Sequence, residues 1–243
     1  MKVYLNRIDG WDDAIISMFL SKRTLTRELE LDIRKEVANC VNTDPEVGPI
    51  GAFTKMSGKL EDWLKKLFKW APIHITMGRF LDFSFTVYGL HRAGQDDWDA
   101  HARRMENRII RSSTRLADFS DGEISEYYDG KIIPTDIALA ALGISTPNEI
   151  EYEGNTYVKG VNGYILKGME NNKDVKRGLY MLSIPSNFIF KINLTEHAHV
   201  FKERNEKSGA NPEVKILAEE TLQLLEKASF GFIDRDMLLK IKN

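Results

Sequence analysis

The densest concentration of chemistry-bearing side chains runs from Asp96 to Arg115, where Arg103, Arg104, Arg108, Arg111 and Arg115 fall within thirteen residues. A guanidinium is planar, permanently charged and forked, so it suits bidentate contact with phosphate better than other side chains. Two readings stay open on these residues alone. One is a solvated amphipathic helix that also carries Trp98, Met105, Ile109 and Ile110; the other is a phosphate site. His197 and His199 stand two residues apart. On a helix that spacing turns the rings to different sides, whereas residues three or four apart share a face, so no metal site is expected. Cys40 is the only cysteine. A thiol nucleophile needs an electropositive, partly exposed setting, and the neighbours of Cys40 supply none, which makes it a core residue. A single cysteine also excludes an internal disulfide framework and fits a reducing compartment, so a cytoplasmic location is expected.

The elements that must position these groups show in the hydrophobic pattern. Lys2 to Ile8 alternates as a strand, and Asp12 is placed to cap a helix carrying Ala14, Ile15, Met18 and Phe19. Leu29, Ile33, Val37 and Val41 recur every fourth position along a second helix that includes Cys40. A Gly- and Pro-rich loop from Asn42 to Gly58 leads to a helix from Leu60 to Trp70, and Phe83, Phe85 and Val87 alternate along a strand from Phe80 to Tyr88. Gly154-Asn155 and Asn162-Gly163 are turn signals between β-prone residues, predicting an antiparallel ribbon over about residues 149–169. Lys173 to Leu182 reads as helical, and Asn187 to Ile192 is apolar. Pro212 to Lys227 reads as a long last helix with Pro212 in its first turn and Val214, Leu217, Leu222, Leu224 and Leu225 as its apolar residues.

With 243 residues, 42% of them hydrophobic, the chain can bury a substantial core. It shows no repeat, low-complexity tract or linker, so one α+β domain spanning 1–243 is expected, with the ribbon as an insertion. Thirty-four basic residues nearly cancel thirty-six acidic ones. That balance offers no general attraction to nucleic acid or to an anionic membrane, so any phosphate binding must be local. Lys2, Arg7, Asp9, Asp12 and Asp13 do not fit a signal peptide, and no apolar run approaches the ~20 residues that span a bilayer. A soluble protein is expected.

Several landmarks then fall in a familiar order: Val175-Lys176-Arg177, Ile192-Asn193, Phe201 to Arg204, and Ala210-Asn211-Pro212-Glu213-Val214. Together they resemble the carboxy-terminal half of the flavin-dependent thymidylate synthases. That family has an Arg after Val-Ala, an Asn ahead of a helix, an Arg ending that helix, and Ala-Gln-Trp-Glu-Ile opening the last helix. Arg177, Asn193 and Arg204 match without gaps, and one extra residue is needed before Glu213. Upstream, Trp70 to Ile75, Glu126-Tyr127-Tyr128 and Ile132-Ile133-Pro134 are similar to further family segments. The family's signature Arg-His-Arg-x-x-Ser-x-Asn-Glu-x-Ser-x-Arg-Tyr is eroded. It falls on Arg103 to Leu116, with only Arg103, Ser113 and Arg115 kept, Ile110 at the Asn and Arg111 at the Glu. The resemblance therefore implies a divergent member whose central antiparallel sheet is flanked by helices.

In that family reduced FAD delivers a hydride, methylenetetrahydrofolate donates a one-carbon unit to C5 of dUMP, and NADPH re-reduces the flavin, with no protein thiol required. By resemblance, Ser113, Arg115 and Arg177 face the phosphate and sugar of the nucleotide, and Gln95 faces the pyrimidine. Arg204 meets the uracil carbonyl, where a guanidinium stabilises charge developing on the ring; Arg204 and Ser113 are the catalytic candidates. FAD falls to His74, Arg103, Arg104, Asn193 and His199, and a homotetramer with FAD at its interfaces is implied. The loss of the Asn and the charge reversal at Arg111 leave two alternatives. One is modification of another pyrimidine nucleotide, for example by hydroxymethylation; the other is a catalytically silent nucleotide-binding homologue.

Overall fold

A computed structural model describes residues 1–100, 108–113, 124–206 and 209–241. Arg103, Arg104 and Arg115 lie outside them. The fold is α+β, with antiparallel sheets flanked by helices, as the sequence led us to expect. No helix among the described residues is long and apolar enough to cross a membrane. The chain forms two compact units, each assembled from separated segments. The larger comprises Lys2–Val87, Asp96–Ile110 and Phe188–Asn243; the smaller comprises Met1, Tyr88–Gln95 and Arg111–Asn187.

The core of the larger unit lies on a four-stranded sheet ordered β1-β2-β7-β3. The strands are β1 (Lys2–Asp9), β2 (Asp82–His91), β7 (Pro185–Asn193) and β3 (Arg108–Arg111). Period-two patterning works as predicted along β2, where Phe83, Phe85 and Val87 are buried, and the same alternation buries Phe188, Phe190 and Ile192 of β7, a segment the sequence marked only as apolar. Phe85 and Phe190 stack across the two strands at 5.1 Å, and Trp98 meets Phe190 edge-on at 5.4 Å. Each such ring contributes about 2–3 kcal/mol by leaving water.

Helices α1 (Trp11–Ser21), α2 (Arg27–Cys40) and α3 (Gly58–Trp70) pack together. α2 buries Ile33, Val37 and Cys40, so the cysteine is a core residue. The last long helix, α9 (Pro212–Ala228), packs against β1. It opens with Pro212 in its first turn, and the Asn211 side chain caps it by accepting the Glu213 N–H.

Two expectations for this unit require correction. Asp12 does not cap α1. Gly10 does, at φ 88, where a Cβ would lie 1.9 Å from the Phe80 carbonyl oxygen, so only glycine fits. Asp12 sits in the first turn and pairs with Arg34 instead. Nor is Asp96 to Arg115 one helix. α5 (Arg92–Ala100) buries Trp98, but Arg108–Arg111 forms β3, a four-residue edge strand in which Ile109 and Ile110 follow their β-branched preference.

The smaller unit contains the predicted ribbon: β4 (Glu149–Tyr152), β5 (Asn155–Gly160) and β6 (Gly163–Leu166), antiparallel in that order. Its turns occupy Glu153-Gly154 and Val161-Asn162, each beginning one residue before the Gly-Asn and Asn-Gly signals. Glu153 at φ 50 and Gly154 at φ 77 give the left-handed pair that a two-residue hairpin needs. The helix expected over Lys173 to Leu182 is shorter. α7 (Lys173–Arg177) is capped by Asn172 and stops at Gly178. With α6 (Thr135–Ala141) these elements bury little apolar surface.

Candidate functional site

In the larger unit, three sequence-predicted residues share one helical run. Asn193 caps α8 (Leu194–Phe201), its Oδ1 accepting the Glu196 N–H at 2.9 Å. The run continues as a π-helical segment, Lys202–Glu206, that carries Arg204. Such wide turns are rare and are frequent at functional sites. Arg204 is 5% exposed and clamped by Asp97 of α5: Nη1 lies 3.0 Å from Oδ1, and Nη2 donates to the Asp97 carbonyl. Burial lowers the Arg204 pKa from its ordinary value, against the opposing attraction of Asp97 and Glu203. Its Nε and the Asp97 Oδ2 are buried with no hydrogen-bond partner among the described residues.

The two histidines of α8 diverge as their spacing predicts. His197 is buried, its Nε2 3.1 Å from the Thr221 hydroxyl, and burial lowers its pKa to about 4. His199 is half-buried, with an Nδ1 that has no partner among the described residues. Among those residues no cluster of His, Cys, Asp and Glu is arranged to hold a metal ion. His74 is exposed, at the start of α4 (Ile75–Gly78), its ring 5.9 Å from that of Trp70.

The smaller unit contains Gln95, Ser113 and Arg177. Gln95 is fully buried; its Nε2 donates to the Leu90 carbonyl at 3.3 Å, and its Oε1 has no partner among the described residues. The chain entering α5 is fixed by His91, whose Nδ1 accepts the Gly94 N–H at 2.9 Å. The His91 ring stacks on Tyr127 at 5.6 Å and meets Tyr128 edge-on at 4.8 Å. Because Nδ1 accepts, the neutral ring carries its proton on Nε2. Ser113 is half-buried beyond β3, where Ser112 N–H donates to the Asn187 carbonyl at 2.8 Å. Arg177 is exposed and pairs with Asp174 at 3.4 Å, an arrangement worth at most about 1 kcal/mol.

Asp97, His91, Tyr127 and Tyr128 were not singled out as site residues from the sequence. The Glu126-Tyr127-Tyr128 landmark carried a signal for the tyrosines. Asp97 carried none, because its partner is 107 residues away.

No protein-family model and no curated protein matches the sequence. Solved structures do match. Thymidylate synthase X (ThyX) from Helicobacter pylori with FAD and dUMP is 15% identical, covers 98% of this chain and 100% of its own, and gives a TM-score of 0.57. A second structure of flavin-dependent ThyX from the same organism, complexed with FAD and dUMP, gives 12% identity, 97% and 100% coverage and a TM-score of 0.56. The UMP/dUMP methylase PolB from Streptomyces cacaoi, bound with 5-Br dUMP, gives 11% identity, 95% and 92% coverage and a TM-score of 0.53. The chain thus has the fold of the flavin-dependent thymidylate synthases along nearly its whole length.

Proposed function

We propose that this chain is a flavin-dependent enzyme that transfers a one-carbon unit from methylenetetrahydrofolate to C5 of dUMP, with FAD as cofactor and NADPH as reductant. The reading is carried by the fold's likeness, over 98% of the chain, to a protein solved with FAD and dUMP. The order of Arg177, Asn193 and Arg204 along the sequence supports it. Unpartnered buried atoms also fit the ligands chemically. Gln95 Oε1 is an acceptor suited to the uracil N3–H, and the His199 Nδ1 is a polar atom suited to a flavin edge. His74 beside Trp70 offers an exposed aromatic surface to the same cofactor.

FAD would supply the hydride chemistry. The chain's own residues bind, orient and polarise. The clamp on Asp97 fixes the plane of the Arg204 guanidinium, so its charge would be in place before the uracil ring becomes electron-rich; preorganised charge of this kind costs no reorganisation during the reaction. Ser113, Arg115 and Arg177 are assigned to the phosphate and sugar, Arg103, Arg104 and Asn193 to FAD. The assembly proposed is a homotetramer in the cytoplasm, which sedimentation equilibrium of the flavin-loaded protein tests.

The purified protein is expected to bind FAD at micromolar concentration, to change its flavin spectrum with dUMP, and to convert dUMP to a product heavier by one CH2, a methyl group having replaced the C5 hydrogen. Absence of FAD binding would overturn the proposal. A second reading, modification of a different pyrimidine nucleotide, is favoured by Arg111 at the signature's Glu position and by the likeness to a UMP/dUMP methylase. Assaying dUMP, UMP, dCMP and CMP side by side separates the two. Nucleotide binding without turnover would point to a silent homologue.

A further inference from the structure

The smaller unit contains a partly open cavity of about 560 Å³ between α6, the β5–β6 hairpin and the residues around α7. That volume lies within the range of about 300–1,000 Å³ usual for small-molecule sites. None of Gln95, Ser113 and Arg177 lines it.

One wall is built as an apolar surface. Gly160 and Gly163 face each other across β5 and β6. A Cβ on Gly163 would come within 2.9 Å of Leu179 Cδ2, and one on Gly160 within 3.1 Å of Leu179 Cδ1 and 3.3 Å of Ile165 Cδ1. The missing side chains let Leu179 seat against the hairpin and make, with Ile165, an apolar wall suited to the face of a ring, and Ile137 of α6 adds a further apolar side chain to the lining.

The rest of the lining is polar and has capacity to spare. Asn162, in the hairpin turn, carries a buried side-chain oxygen with no hydrogen-bond partner among the described residues. A buried acceptor of that kind calls for a donor. Lys176 makes no ion pair among the described residues, and Lys159 is held by the Thr146 hydroxyl at 2.9 Å and not by a carboxylate. Of the two acids in the lining, Glu170 already accepts the Gly168 N–H at 2.8 Å, and Asp136 lies in the first turn of α6.

We infer that this cavity binds a flat heteroaromatic molecule that presents an N–H to Asn162 and an anionic group to Lys159 and Lys176. The anion can be a phosphate or a carboxylate, and AMP and orotate represent the two sources. Isothermal titration of the full chain with each is expected to show saturable one-site binding for at least one of them. Binding of AMP alone assigns a phosphate, and binding of orotate alone a carboxylate. Affinity is expected to fall at least about tenfold in Lys176→Glu, which reverses the charge, and in Val161→Trp, which fills the space. Asn162→Gly removes the acceptor while keeping the turn's positive φ, and should weaken binding without lowering the unfolding temperature. The inference is overturned if neither compound binds at millimolar concentration, or if binding is unchanged in folded Lys176→Glu and Asn162→Gly proteins.

Discussion

Burial holds His197 neutral: its ring lies nearly parallel to Phe85 at 6.2 Å, and among the described residues nothing charged bonds to it. Its folded pKa of about 4 is below the ordinary 6.5. Above that ordinary value both states are neutral and the stability is complete. As pH falls from 6.5 towards 4, the unfolded chain accepts a proton that the folded chain refuses, and stability drains away. The whole effect is about 3 kcal/mol, at no more than about 1.4 kcal/mol per pH unit. His197→Phe should flatten this slope in urea unfolding at several pH values; a variant with the wild-type slope would refute the assignment. Asp97 makes a separable prediction. Asp97→Asn leaves the Arg204 charge buried without its counter-charge, and we expect a loss of about 1–3 kcal/mol, below the cost of a fully buried pair because Asp97 is partly exposed. The same substitution in an Arg204→Met background should cost much less, which a double-mutant unfolding cycle would measure.

Among the elements, the hairpin turn at Glu153 and the cap at Asn193 allow direct tests. Glutamate is an unfavourable occupant of a left-handed turn position, so Glu153→Asn is expected to raise stability by about 0.5 kcal/mol. Asn193→Ala should lower it by about 1 kcal/mol through the lost cap. Both are readable as shifts in the urea midpoint. Elements with long, regular apolar patterns were legible in the sequence: β2 through Phe83, Phe85 and Val87, and α9 through Val214, Leu217, Leu222 and Leu225. The strand β3 was not. Four residues hold too little pattern to separate strand from helix, and what makes Arg108–Arg111 a strand is its non-local place on the sheet edge. The cap of α1 was missed because the close approach of the Phe80 carbonyl to Gly10 leaves no local trace.

At the scale of the molecule, buried apolar side chains are concentrated in the larger unit, and the smaller has few beyond Leu90, Ile165 and Ile184. Amide hydrogen exchange should follow that division. Phe83 to Val87 and the buried turns of α8 and α9 should be the slowest to exchange, and the ribbon amides of 149–166 much faster. Ribbon amides outlasting those of β2 would contradict this distribution of stability. The candidate site was legible to the extent that landmark order carries it, through Arg177, Asn193 and Arg204. The Asp97 clamp and the unpartnered Gln95 oxygen emerge only when distant segments are brought together in space. The sheet order has a further consequence, for the chain as it is made. β7 lies between β2 and β3, yet it follows β3 by more than seventy residues. On the ribosome β1 and β2 emerge first and can pair, whereas β3 follows them with no neighbour yet made. The sheet can close only after Asn193 has left the exit tunnel, so joining β3 to the other strands is a late, non-local step that waits for the whole intervening segment to be made.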